Sequence, residues 1–532
     1  MLARKVNRVE MRMNPGKNSR LLLFVFGAVC AAGVAQWCMS SGVGVGPDSV
    51  IYLSAADSII AGDGIKPIAY HYSPKTPGRE PLVSFPPTYP LLLSLSGLLS
   101  SDQLNGAKCL HSLLFAGNVF LLAMIVYLGT GKSVPATLVA ILLLESSYSV
   151  LAIHTMAWSE PAFIFFVLMA VLLLMLHIGK PHNLLLVGSA LSTGLAFTTR
   201  YAGITILPPM ILTILLLGTK QLKGRIRDCL LLVGVGVSPL AVWLVRNILV
   251  ADSAVNRSLA FHPLGIVDFK TIVNSLLIFW GPFAGNVYVK MLLMFLGGVL
   301  VISGVLLLKR KNLTREKSAN LNSVAHLFAA LFITTYLLFL VGYNSLTNPA
   351  VDLGSRLLFP VYVFGIILVI SVAFKLSKFG NRTLLWWGFL VLSFALIAVN
   401  ARDAISFAIQ RHKNGTGFTS REWAVSPSVA YLRSLSENRP TYSNGIDALF
   451  VLTRKEALRI PAKFDPTGGK NNADFERDIN TMRNELMQNR AVVVYLDKIT
   501  WRWYLPSRDE LENVYRFPVL VRLDDGVIYG IK

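Results

Sequence analysis

Charge is scarce in this 532-residue chain: only 15% of residues are Asp, Glu, Lys or Arg, and the acids number 29. Soluble domains carry about 25% charged residues, so a soluble globular protein is excluded. Cysteine is equally sparse. Cys30, Cys38, Cys109 and Cys229 lie in or beside apolar segments, with no CxxC and no Cys/His spacing. Neither a disulfide framework nor a thiolate metal site is encoded. Internal repeats and low-complexity tracts are lacking. A cleavable signal peptide is not expected: residues 1–20 are too long and too basic a leading region, and no small-residue cleavage site follows. The first apolar segment is expected to stay as an anchor.

Hydrophobic residues make up 54% of the chain, and mean hydropathy is +0.56. Apolar segments recur at 21–40, 107–128, 134–154, 161–178, 184–199, 203–218, 230–250, 288–308, 325–343, 357–374 and 384–400. They predict a polytopic α-helical membrane protein of about eleven spans. Alternating these spans sorts the charges. Arg4, Lys5, Arg8, Arg12, Lys17 and Arg20 precede the first span, and Lys132, Lys180, the 220–227 group, the 309–317 group and Lys375, Lys378 and Arg382 fall on the same side. Asp48, Asp57, Asp63, Glu80, Asp102, Glu160, Asp252, Asp268 and Asp352 fall on the other. The positive-inside rule places residues 1–20 in the cytoplasm and the C-terminus outside. The net charge of +21 is thereby topogenic, and a nucleic-acid partner is not expected.

Three regions follow: the basic N-terminus 1–20, a transmembrane domain 21–400 and a tail 401–532. The tail has short apolar runs and dense mixed charge. Thr441–Ser443 and Ala491–Leu496 read as strands, Asp474–Asn489 as an amphipathic helix, and Val519–Ile531 as a hairpin turning at Asp524-Asp525-Gly526. A small α/β domain on the outer face is expected. Within the first part, the polar outer loop 41–106 carries two expected surface helices. One starts at Pro47-Asp48 and ends at Gly62 and Gly64; it reads as amphipathic, too short to span. The other follows Pro90.

Ionisable residues at membrane depth are costly and point to function. Several sit at the outer span ends: Glu160 in Trp-Ser-Glu-Pro, Arg200-Tyr201, Arg246-Asn247, Arg257, His262 in Phe-His-Pro, and Arg356 in Ser-Arg-Leu-Leu-Phe-Pro. These arginines oppose the positive-inside bias. A planar guanidinium suits an oxyanion such as a phosphate. The competing reading is snorkelling to lipid headgroups or pairing with an acid such as Asp352. Asp48 and Glu160 have competing readings too, as a helix cap and as a carboxylate favoured by a helix dipole. His154 and His262 each lack a nearby second ligand, and Glu145 lies inside a span without an assigned role.

Pro-Asp48-Ser-x-x-Tyr52-Leu-x-x-Ala followed by Gly-Asp-Gly resembles the first outer loop of the GT-C glycosyltransferases that use polyprenyl-phosphate sugar donors, relatives of protein O-mannosyltransferases and lipid A aminoarabinose transferase. Phe-Pro-Pro-Thr-Tyr89-Pro, Ser-Glu160-Pro, Thr-Arg200-Tyr201-Ala-Gly, Arg246-Asn, Ser-Arg356-Leu-Leu-Phe-Pro and Tyr442-Ser-Asn-Gly-Ile-Asp are similar to further stretches of that group. The resemblance implies a membrane glycosyltransferase, with Asp48 as catalytic base and an inverting transfer on the periplasmic or luminal side. Tyr52, Tyr89, Glu160, Arg200, Tyr201, Arg246, Arg257, His262 and Arg356 are the substrate-binding candidates. The implied partners are a polyprenyl-phosphate sugar, a lipid, glycan or protein acceptor, and membrane lipids, with a bacterial inner membrane as the expected location. No nucleotide-sugar motif is visible, in keeping with a lipid donor. Some members of the group use a divalent metal, for which Asp48 and Glu160 are the candidates. Many carry two adjacent acids in the first loop, where this chain has Asp48-Ser49. The alternatives are a transporter or flippase of lipid-linked sugars and a non-catalytic assembly subunit.

Overall fold

The computed structural model describes residues 15–68, 79–100, 102–255, 258–263, 265–281, 321–348, 353–377, 383–434, 439–465 and 469–531. Ten of the eleven expected apolar segments fall there, and all ten are helical. The segment 288–308 and the acid Asp352 lie outside the described residues. In chain order the helices are α1 (Pro15–Cys38), α2 (Pro47–Ile60), α3 (Thr88–Leu98), α4 (Gln103–Gly129), α5 (Val134–Glu145), α6 (Tyr148–His154), α7 (Glu160–Gly179), α8 (Asn183–Thr199), α9 (Leu207–Leu217), α10 (Leu222–Ala251), α11 (Ile266–Trp280), α12 (Leu321–Leu346), α13 (Ser355–Ser377) and α14 (Thr383–Asn414). Among the described residues seven helices are long and apolar enough to cross a bilayer. The pair α5 and α6, bent by 68°, makes an eighth. α8 and α9 are shorter apolar helices. α8 approaches α10 closely because Gly194 faces Gly236 and Pro239: a Cβ on Gly194 would lie 2.9 Å from the Gly236 carbonyl oxygen.

α14 runs unbroken to Asn414, so the tail starts beyond residue 401, where the charge pattern had placed it. It forms a five-stranded sheet from β3 (Thr441–Ser443), β4 (Leu458–Arg459), β5 (Val492–Leu496), β6 (Val519–Leu523) and β7 (Gly526–Tyr529), after a two-stranded pair, β1 (Ser258–Leu259) with β2 (Thr347–Asn348), earlier in the chain. The sheet order is β4-β3-β5-β7-β6, with β4, β3 and β5 parallel and the rest antiparallel. The expected amphipathic helix, Phe475–Met487, lays Ile479, Met482 and Leu486 on Val493, Val527 and Tyr529.

The expected surface helix is a correction. α2 is not amphipathic on a membrane surface. Ser49, Val50, Tyr52, Leu53, Ser54, Ala55, Ala56 and Ser58 are all buried, because the helix is clamped between α3 and the tail helix Ile446–Thr453. Its small residues allow that approach on both sides.

The strand-like stretch before α2 sets the register of everything near Asp48. Gly44 N–H donates to the Thr155 carbonyl, and Ala157 N–H donates back to the Gly44 carbonyl, each at 2.8 Å. On the other side Phe418 N–H donates to the Val45 carbonyl at 2.8 Å. Gly417 there has φ +59°, and a Cβ would sit 2.1 Å from the Val45 oxygen. Only glycine fits this crossing. The stretch before α2 is thus zipped between the loop joining α6 to α7 and the segment that follows α14.

Candidate active site

Asp48 sits at the second position of α2, inside the helix. Gly46 is the N-cap residue, and its N–H donates to Ser49 Oγ at 3.1 Å. Asp48 is not the N-cap residue, so capping does not account for it. Its carboxylate reaches outward to Arg356, whose Nη1 lies 2.6 Å from Asp48 Oδ2. The Nε of the same guanidinium donates to Glu160 Oε1. Arg200 Nη1 donates to that same Glu160 oxygen at 2.6 Å and to Ser159 Oγ at 3.0 Å. Four charged groups from four separate segments therefore form one chain: Asp48, Arg356, Glu160, Arg200.

Exposure grades along this chain. The Glu160 side chain is 1% exposed and Asp48 39%. Burying Glu160 without partners would cost several kcal/mol; two arginines offset that cost. Its second oxygen, Oε2, is buried without a hydrogen-bond partner. The Arg356 guanidinium lies 4.4 Å over the Trp158 ring, a cation–π contact that fixes its plane. Asp48 is the open end of the chain, facing a cavity of about 640 Å³.

That cavity has two characters. Asp48, Arg200, Arg356, Asn344 and Ser355 are polar lining residues, and Phe339, Leu340, Leu353, Leu357 and Phe85 are apolar ones. Tyr52 and Tyr201 line it too. Tyr52 OH lies 3.4 Å from Ser159 Oγ. Burial pushes the Tyr52 phenol well above its usual range, with the Asp48 charge adding to the effect, so it stays a neutral hydroxyl. Tyr201 OH donates to the Val83 carbonyl and accepts from Trp243 Nε1.

The remaining candidates stand apart. Tyr89 is fully buried behind Tyr52, edge-on at 4.9 Å, with its OH bonded to His111 Nε2 at 2.6 Å. It supports the site without lining it. Arg246 is committed elsewhere: Nη1 donates to the Leu82 carbonyl at 2.7 Å and to Asn247 Oδ1 at 3.0 Å, and the guanidinium packs 4.7 Å from the Trp243 ring. It is not among the cavity residues. Nor is His262, whose backbone N–H pairs with the Ser345 carbonyl. Arg257 lies outside the described residues. His154 is buried against Asn118 and the Val150 carbonyl, a structural histidine. The structure adds Trp158, Tyr343, Asn344 and Ser355, none of which was singled out in sequence. Interfacial aromatics are common in membrane helices, and that background hid Trp158 and Tyr343.

A divalent metal does not fit between Asp48 and Glu160. The space between those carboxylates holds the Arg356 guanidinium, and no group of three His, Cys, Asp or Glu suited to a metal occurs among the described residues.

Residues 84–243 match the dolichyl-phosphate-mannose-protein mannosyltransferase family. They include Glu160 and Arg200, two links of the charged chain. Among solved structures, ArnT from Cupriavidus metallidurans bound to undecaprenyl phosphate is similar over 96% of this chain and 98% of that one, at TM-score 0.53 and 13% identity. The fold is that of the GT-C glycosyltransferases. The archaeal oligosaccharyltransferase AglB from Archaeoglobus fulgidus, in complex with an inhibitory peptide and a dolichol-phosphate, shares it at TM-score 0.52 and 14% identity, over 90% of this chain and 70% of that one. No curated protein matches the sequence. The cavity lies where Asp48, Tyr52, residues 84–86 and Trp158 meet the start of α13.

Proposed function

We propose that this protein transfers a sugar from a polyprenyl-phosphate donor to an acceptor on the outer side of a cell membrane, with inversion at the anomeric carbon. The observation that carries the reading is the cavity itself. One half-exposed carboxylate and two arginines, linked through Glu160, line it together with apolar side chains. A phosphate-linked sugar on a lipid tail brings both an anion for the arginines and apolar surface for the apolar lining.

In this reading Asp48 accepts the proton of an acceptor hydroxyl or amine as its oxygen or nitrogen attacks the anomeric carbon. The bond from that carbon to the phosphate oxygen breaks, and the electron pair leaves with the lipid phosphate. Arg200 and Arg356 stabilise the charge growing there. Arg246 is given no part in this, since it does not line the cavity and its Nη1 serves the Leu82 carbonyl and Asn247. Tyr52 and Tyr201 shape the cavity wall. No step is routed through a metal.

The test is donor turnover by purified protein in detergent. A panel of polyprenyl-phosphate sugars is offered with envelope extract as acceptor, and release of polyprenyl phosphate is followed for wild type and Asp48→Asn. Release by wild type alone supports the reading, and the active donor names the sugar. Equal release by both removes Asp48 as base. Failure of both, with labelled donor crossing a reconstituted bilayer, transfers the assignment to a flippase.

A further inference from the structure

Arg356 is held at three points of unequal strength. Its Nε is anchored to Glu160, which is 1% exposed and held in turn by Arg200. Its face rests on Trp158. Its Nη1 reaches Asp48, which is 39% exposed and open to the cavity. Water screens the Asp48 contact far more than the Glu160 contact. The guanidinium therefore has a fixed inner edge and an exchangeable outer edge.

The charges of this chain also balance: two arginines, two carboxylates. A phosphate entering the cavity meets arginines already engaged, and the nearest anion it must contend with is Asp48. A lipid-linked sugar phosphodiester carries one charge on two unesterified oxygens, and a free lipid phosphate up to two charges on three; guanidinium binds both in bidentate fashion. The phosphate is the stronger contestant for the outer edge.

We propose that Asp48 and the phosphate of a lipid-phosphate ligand compete for the outer edge of Arg356, so that seating the ligand releases Asp48. The idea rests on the function proposed above and deepens it. Arg356 then has two tasks in sequence. Without ligand it masks the Asp48 carboxylate. With ligand it pivots about its Glu160 anchor, guided by the Trp158 ring, and leaves that carboxylate free beside the seated headgroup. One charge-assisted hydrogen bond is exchanged for another, and no covalent bond changes. The consequence is ordered binding: lipid ligand first, acceptor second.

Binding of undecaprenyl phosphate to the full-length protein in detergent tests this, at fixed ionic strength. Wild type, Asp48→Asn, Arg356→Gln and the double variant are compared. Loss of the competitor in Asp48→Asn is expected to tighten binding about tenfold, the weight of one charge-assisted hydrogen bond. In the Arg356→Gln background the same substitution is expected to change binding less than about twofold. Unchanged or weaker binding by Asp48→Asn overturns the proposal. So does equal tightening in both backgrounds, which signals general repulsion between Asp48 and the phosphate. If Arg356→Gln does not fold, Arg356→Lys serves in its place: it keeps the charge without the fork, and the gain from Asp48→Asn is expected to fall below about threefold. Turnover is read separately. Turnover retained with tighter binding removes Asp48 as base and keeps the competition; turnover lost with unchanged binding does the reverse.

Discussion

Arg356 Nη1 lies 2.6 Å from Asp48 Oδ2, although the two residues are 308 positions apart. The contact joins the start of α13 to the start of α2. It is the outermost link of a chain whose innermost link, Glu160, is buried.

The arginines are not equivalent, and mutagenesis is expected to separate them. Arg200→Gln and Arg356→Gln each lower kcat/KM for a lipid-phosphate sugar by about 100-fold or more, the usual cost of removing one donor from a developing anion. Arg246→Gln lowers it by less than about fivefold, since its guanidinium serves the Leu82 carbonyl. Steady-state turnover in detergent checks both.

Glu160 is expected to matter first for stability. Glu160→Ala leaves Arg200 and Arg356 partly buried and short of a shared acceptor. Breaking a buried pair on one side costs about 3–5 kcal/mol. A clear fall in the thermal unfolding midpoint in detergent is the expected result, with Glu160→Asp recovering part of it.

Gly417→Ala tests the zipper that positions Asp48. With φ at +59° and the Val45 oxygen 2.1 Å from any Cβ, the loop must shift. Strain of this kind costs on the order of 1–3 kcal/mol. Limited proteolysis should open the 415–420 linker, and turnover should fall while membrane insertion is unchanged.

The tail carries an acid-sensitive fastening. Burial pulls the Asp525 carboxyl upward, but hydrogen bonds from Ser426 and Ser428 outweigh it and hold the group below its usual value. A depressed folded value means stability that is present above the unfolded pKa, about 3.9, and lost as pH falls through the lower folded value. Helix Pro427–Ser434 is expected to detach from the sheet only below about pH 4. Asp525→Asn removes that acid step. Hydrogen exchange of residues 426–432 across pH 3–7 reads it.

The membrane class was legible in sequence because hydrophobic runs and the side of each lysine are one-dimensional facts. The ten described apolar segments came out helical for that reason, and Thr441–Ser443 came out as the strand its residues predict. Strand β4 escaped notice because two residues carry no periodicity. The helix at Asp48 was legible in its ends but misread in its setting. Short residues such as Ser54, Ala55 and Ala56 look like a weak polar face, and only a neighbour on each side shows that they are a packing surface.

By itself the sequence determined the class of molecule, the positions of its apolar segments, and the shortlist of charges at their ends. Those follow from local hydropathy and from residues whose burial cost is independent of context. Only the tertiary structure decided which charges belong together. It joined Asp48, Glu160, Arg200 and Arg356, sent Arg246 to a backbone carbonyl, and brought Trp158 beneath a guanidinium. Pairing of distant charges depends on angstrom-scale distances set by helix packing and by the Gly44 and Gly417 crossings, and no linear pattern encodes such distances.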